Sequence, residues 1–153
     1  MNWKSGLAVV VSLFAVSVCG AQEKKIKRSD LPAAVERTVQ VESRGATIRG
    51  FSEEKENGKT YFEVEMMVNG HGKDVTIDLT GAVTEVEEEV LFESLPAAVK
   101  EGLKGKAGTG TIVKVESITK HNTLVAYEAN ILTGGKKSEV QVGPDGKLLD
   151  HEE

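Results

Sequence analysis

Leu31-Pro32-Ala33-Ala34-Val35 returns 64 residues later as Leu95-Pro96-Ala97-Ala98-Val99. Phe62-Glu63-Val64 then answers to Tyr127-Glu128-Ala129, and Gly81 to Gly146, both at a spacing of 65. One extra residue in an intervening loop accounts for the change. Matches that keep their order over about sixty residues mark one unit written twice.

Each copy reads as a helix followed by strands. Asp30 and Ser94 stand where an N-cap belongs, with side-chain oxygens able to accept from the free amides of the first turn. Pro32 and Pro96 follow within that turn, where a missing N–H costs little. Leu31, Ala34, Val35 and Val39 fall on one helical face, as do Leu95, Ala98, Val99 and Leu103. Gly45 and the 105–110 segment are the expected stops.

Thr47 to Glu54 then reads as a strand, and Asn57-Gly58 as a hairpin turn, because type I′ geometry needs positive φ at both central residues. Phe62, Val64, Met66 and Val68 alternate with Tyr61, Glu63, Glu65 and Met67, the pattern of a strand with one buried face. Val75, Ile77 and Leu79 are expected to point inward, and Ala82 to Glu87 to close the first copy. The second copy repeats this with Thr111 to Ile118, Leu124 to Leu132, Ser138 to Val142 and Lys147 to Leu149. The expected fold class is α+β, with two tandem helix-plus-antiparallel-strand repeats and both helices on one face of an antiparallel sheet. One helix on three or four strands buries little, so two copies side by side give the better core.

The Leu-Pro-Ala-Ala-Val helix starts, the Asn57-to-Glu65 hairpin and the terminal Gly143-Pro144-Asp145-Gly146-Lys147-Leu148-Leu149 resemble PepSY-like domains. More closely, they resemble the β-lactamase-inhibitor-like PepSY-like proteins of the bacterial envelope. The resemblance spans residues 29 to 153. It implies an exported bacterial protein of tandem α/β repeats without enzymatic activity. In the inhibitor that gives the group its name, a concave sheet surface grips an enzyme. No inhibitory motif carries over residue by residue, and that inhibitor uses disulfides.

The amino terminus has the three parts of a secretory signal: Lys4, an apolar run from Leu7 to Val18, then Cys19-Gly20-Ala21 before Gln22. The apolar run is short of the roughly 20 residues a spanning helix needs. The expected organisation is therefore a signal peptide over 1–21, a flexible segment over 22–28, one PepSY-like repeat over 29–90 and a second over 91–153. Periplasmic or secreted localisation follows. Lipidation of Cys19 is the lesser alternative, since Val18 is a poor neighbour for a lipoprotein cleavage site. Once the signal has left with Cys19, no cysteine remains, and the core alone must hold the fold.

The formal net charge is −5, with Lys and Arg scattered. No basic stripe marks a nucleic-acid surface. His71, His121 and His151 sit far apart, in or beside turns or the terminus, without zinc-ligand spacing. Glu85, Glu87, Glu88 and Glu89, and the tail Asp150, Glu152 and Glu153, lack the ordered ligand pattern of a calcium loop and read as solvated segments. Gly105, Gly108 and Gly110 follow a helix and precede a strand, the reverse of a phosphate cradle. There is no Gly-x-Ser-x-Gly elbow, and Ser117 and Ser138 read as ordinary strand or turn residues. Neither a catalytic residue, a metal ligand nor a cofactor is assigned.

The outward sheet face remains as the candidate binding surface. It carries Tyr61, Glu63, Glu65 and Met67 from one copy, and Ala126, Glu128, Asn130 and Leu132 from the other, with Thr76, Asp78 and Gln141 nearby. Tyr and Met mixed with acids suit contact with another protein. The expected function is a non-enzymatic binding module of the envelope, an inhibitor or sensor of an exported protein. The alternative is an acidic metal-responsive or metal-buffering protein.

Overall fold

A computed structural model describes residues 22–149 and Glu153. Its eight strands form one antiparallel sheet in sequential order. They are β1 (Gln22–Lys25), β2 (Thr47–Glu56), β3 (Lys59–Val68), β4 (His71–Asp78), β5 (Val83–Glu89), β6 (Thr111–Lys120), β7 (Thr123–Thr133) and β8 (Lys136–Val142). Helix α1 (Ala33–Glu42) lies between β1 and β2, and α2 (Ala97–Ala107) between β5 and β6. After β1, a 3-10 turn, a helix and a run of hairpin strands come round twice. The signal peptide and Cys19, together with Asp150, His151 and Glu152, lie outside the described residues.

Two-residue turns join most of the strands. Asn57-Gly58, Asn69-Gly70, His121-Asn122 and Gly134-Gly135 all have positive φ at both positions. Mirror-image turns of this kind match the right-handed twist of the flanking strands. Both helices pack on the same sheet face. Val35 and Val39 of α1 close over Phe51, Phe62, Val64, Met66, Val75 and Ile77, while Leu95, Val99 and Leu103 at α2 close over Val115, Ala129, Ile131 and Val142. Pairing of β5 with β6, from Glu85 opposite Lys120 to Glu89 opposite Glu116, joins the halves into one sheet.

The helices touch their neighbouring turns by close backbone approach. A Cβ on Gly81 would stand 2.8 Å from the Ala34 carbonyl oxygen, and one on Gly146 would stand 2.1 Å from that of Ala98. In the first half the Thr38 hydroxyl donates to the Gly81 carbonyl at 2.6 Å. The position 64 residues after Thr38 is Gly102, and there a Cβ would meet the Gly146 oxygen at 2.1 Å. One interface is hydrogen-bonded and the other is tighter and bare.

Several local expectations need correction. Residues 22–28, expected as a flexible segment, carry regular structure. Four of them form β1 on the edge of β2, and the Ile26 amide donates to the Phe51 carbonyl at 3.0 Å. The helices begin one turn later than Asp30 and Ser94, after Pro32 and Pro96. Those two polar residues instead close 3-10 turns. The Asp30 carboxylate accepts from the Lys27 amide at 3.0 Å, and the Ser94 hydroxyl donates to the Leu91 carbonyl at 2.7 Å. The 105–110 segment does stop α2, at Gly108 with its positive φ. Leu79 lies past the end of β4 and is exposed.

Candidate functional site

Among the described residues no strand or helix covers the sheet face away from the helices, and Glu153 lies against its β6–β8 side. Strand alternation sends every second residue there. Tyr61, Glu63, Glu65 and Met67 of β3 point to it, because Phe62, Val64 and Met66 are taken by the core. Glu128, Asn130 and Leu132 of β7 point the same way, alternating with Ala129 and Ile131. The sheet brings these residues onto one surface but not to one point. Tyr61 stands opposite Glu54 and Asp78, while Asn130 and Leu132 lie toward the β6–β8 end, opposite Lys114 and Thr111. Leu132 is exposed.

Between those two groups lies a set of acids of which Asp74 and Glu116 were not singled out from the sequence. Glu65 pairs across with Asp74, and Asp74 with Glu87. Glu89 pairs with Glu116, and Glu116 with Glu128. The acidic run 85–89 is thus no solvated linker. It is β5, with Glu85, Glu87 and Glu89 partly buried on the face away from the helices and Glu88 alone exposed. Carboxylate oxygens of Asp74, Glu87 and Glu116 come within 4.8 Å of one another, a spacing able to hold a cation.

Crowding and partial burial change how these acids titrate. Burial, then the charges of Asp74, Glu54 and Glu65, push Glu63 up to about 8. Burial, then Glu116 and Glu65, raises Asp74 to about 6. Glu87 is pushed up by burial and by Glu85, Glu116, Glu128 and Asp74. Glu54 and Glu128 are raised too, again first by burial. In each case the charged form is disfavoured by lost water and by like neighbours.

Three lysines answer part of this charge. Lys25 reaches from β1 across β2 to Glu65, and also contacts Glu23 at 3.1 Å. Lys114 pairs with the buried Glu116 at 2.6 Å, and Lys120 stands 3.8 Å from Glu85 and 3.7 Å from Glu153. The Gln141 amide donates to Glu128 at 2.9 Å, and its oxygen accepts from the Glu153 amide at 2.8 Å. Burial, the largest single effect, would lower Lys25 and Lys114, but the hydrogen bonds to Glu65, Glu23 and Glu116 together with the surrounding carboxylate charges outweigh it and both stay raised.

Part of the acid set was legible. Counting outward from the Asn69-Gly70 turn puts Asp74 opposite Glu65, as observed. Glu87 was not, because the β4–β5 register slips between Thr76 and Ile77. Glu116 needed the β5–β6 pairing, which joins residues from different halves.

No protein-family model matches the chain, and no curated protein matches it. Solved structures do. A BLIP-like protein from Bacteroides fragilis is 20% identical with a TM-score of 0.58, over 80% of this chain and 86% of that one. A protein from Bacteroides eggerthii, suggested to be periplasmic, is 15% identical with a TM-score of 0.63, over 77% and 85%. A DUF2874 family protein from Bacteroides ovatus is 16% identical with a TM-score of 0.61, over 79% and 86%. The chain thus shares its fold, two helices on one face of an open eight-stranded antiparallel sheet, with BLIP-like and DUF2874 proteins.

Proposed function

We propose that this chain is an exported, non-enzymatic binding module that presents its uncovered sheet face to another protein. The observation that carries the reading is the face itself: eight strands with both helices on one side and no described strand or helix on the other. A sheet of that size with one side free of helices presents the half-buried Tyr61 and Met67 among hydrogen-bonding acids, a composition suited to protein contact. Similar folds named BLIP-like or suggested to be periplasmic support an envelope role and an inhibitor-like or sensor-like activity. The signal-like 1–21 segment supports export. Residues 29–90 and 91–153 are read as copies of one unit, supported by the recurring order of elements.

The test is capture of a partner from a native periplasmic fraction by the tagged protein. A partner that binds the native chain and is lost from the Tyr61→Ala/Glu65→Ala variant is the expected result. A partner retained equally by that variant removes the face from the reading.

A second reading, divalent-cation binding, is favoured by the convergence of Asp74, Glu87 and Glu116. Calcium prefers six to eight oxygen ligands, so water or further carboxylates would have to complete the shell. Titration calorimetry with calcium and zinc decides it, and absence of heat at millimolar metal ends it.

A further inference from the structure

The acid row is longer than one ion can serve. Measured across the strands, from Glu65 on β3 through Asp74, Glu87, Glu89 and Glu116 to Glu128 on β7, there are four strand-to-strand steps, about 19 Å at about 4.8 Å each. Lys25, Lys114 and Lys120 already stand against Glu65, Glu116 and Glu85. Among the described residues, no ion pair is formed by Glu63, Asp74 or Glu87. A cation is what relieves the mutual repulsion of such a group.

A second observation on the same face points to a missing partner. Ser52 on β2 alternates with the core residue Phe51 and stands between Lys25 and Glu63 on the neighbouring strands. Its hydroxyl is fully buried and has no hydrogen-bond partner. A polar atom left so is normally satisfied. Lys25 passes over this position to reach Glu65, so the chain itself shows how a basic side chain lies across these strands.

We propose that the occupant of the uncovered face is a basic segment of a partner protein, whose arginine or lysine side chains pair with Glu63, Asp74 and Glu87. The proposal rests on the protein-binding reading above and names the partner's chemistry. An extended chain laid across the strands matches the length of the row, and charge complementarity fixes which chains dock and how fast. The Ser52 hydroxyl accepts from an incoming N–H once Lys25 is displaced.

The test uses the purified protein and two synthetic peptides, one alternating arginine with glycine and one with neutral citrulline in place of arginine. Amide shifts by NMR locate binding and give its affinity at low salt and about pH 8. The expected result is that the arginine peptide moves amides of β3 to β6 and the citrulline peptide moves none. Glu63→Gln/Glu87→Gln weakens binding by about tenfold or more, the equivalent of about 1.4 kcal/mol. Glu93→Gln/Glu101→Gln, an equal charge change away from the face, leaves the affinity within about twofold. Equal weakening by both variants, shifts confined to the helices, or no binding overturns the proposal. So does calcium chloride that saturates the same amides and displaces the peptide at matched ionic strength, which assigns the carboxylates to a metal. A partner captured through Tyr61 while the arginine peptide fails removes the basic occupant and leaves the protein-binding reading standing.

Discussion

Gly102 and Gly105 lie one turn apart on α2, and replacing each with alanine should move stability in opposite directions. Glycine inside a helix costs roughly 0.5–1 kcal/mol relative to alanine, so the bare expectation for both changes is a gain. At Gly105 nothing lies within 4 Å of the added Cβ, and that gain should appear. At Gly102 the Cβ would stand 2.1 Å from the Gly146 carbonyl oxygen and 3.0 Å from its carbon. An ordinary carbon–oxygen contact is about 3.3 Å, so the turn must withdraw by about 1.2 Å. Neither side yields easily. Gly146 is itself held at φ 79, with the Ala98 carbonyl beneath it, and its amide donates to the Gly143 carbonyl at 2.8 Å. The wedge also opens the seal over Leu103 and Val142, both fully buried. Overpacking against rigid backbone costs typically 1–3 kcal/mol, and here the upper half applies. Subtracting the helix gain leaves a net loss of about 1–2 kcal/mol for Gly102→Ala, against a gain of about 0.5–1 for Gly105→Ala. For a domain of this size the two melting temperatures should stand roughly 6–12 °C apart. Thermal and urea unfolding by circular dichroism measures both. A Gly102→Ala protein that melts at or above the native temperature would refute the close contact and the reasoning built on it.

Further outcomes follow from the same structure. Because the folded chain raises Glu63 to about 8 and Asp74 to about 6, it holds protons that the unfolded chain has released. Their stabilisation is complete below about pH 4 and is lost as pH rises through the folded values, so unfolding should become easier between about pH 5 and pH 9, by on the order of 2–3 kcal/mol after screening. Urea midpoints across that range check it, and a midpoint that climbs with pH contradicts it. Glu87→Gln should be near neutral at about pH 5 and stabilising by about 1 kcal/mol at about pH 9, because the amide mimics the protonated acid; the paired urea curves at both pH values show it. Thr38→Val should cost about 1 kcal/mol by leaving the Gly81 carbonyl without its donor, read as a shift in urea midpoint. Ile77→Ala, at a fully buried position beneath α1, should cost about 2–5 kcal/mol in the same assay.

The sequence by itself determined the parts whose cause is local. A glycine pair or an Asn-Gly pair can adopt positive φ at both positions with little strain, so the hairpins at Asn57-Gly58 and Gly134-Gly135 were readable from two residues each. Period-two alternation named the core side of β3, and with it placed Tyr61, Glu63, Glu65 and Met67 opposite the helices. Proline fixed the helix starts to within a turn, though not the role of Asp30 and Ser94, whose oxygens serve 3-10 turns. The tertiary structure alone decided what depends on a partner distant in the chain. Gln22–Lys25 is a strand because the edge of β2 offers it unpaired backbone groups. A closing strand over Ala82 to Glu87 was legible, but the acids of 85–89 have poor strand propensity, and a bulge hides which of them share a face. They are extended because β4 on one side and β6 on the other satisfy their amides and carbonyls. That same pairing sets Glu87 beside Asp74 and Glu116, residues from both halves of the chain. Register across a sheet is a property of contacts between strands, so the acidic centre of the uncovered face exists only once the halves have met.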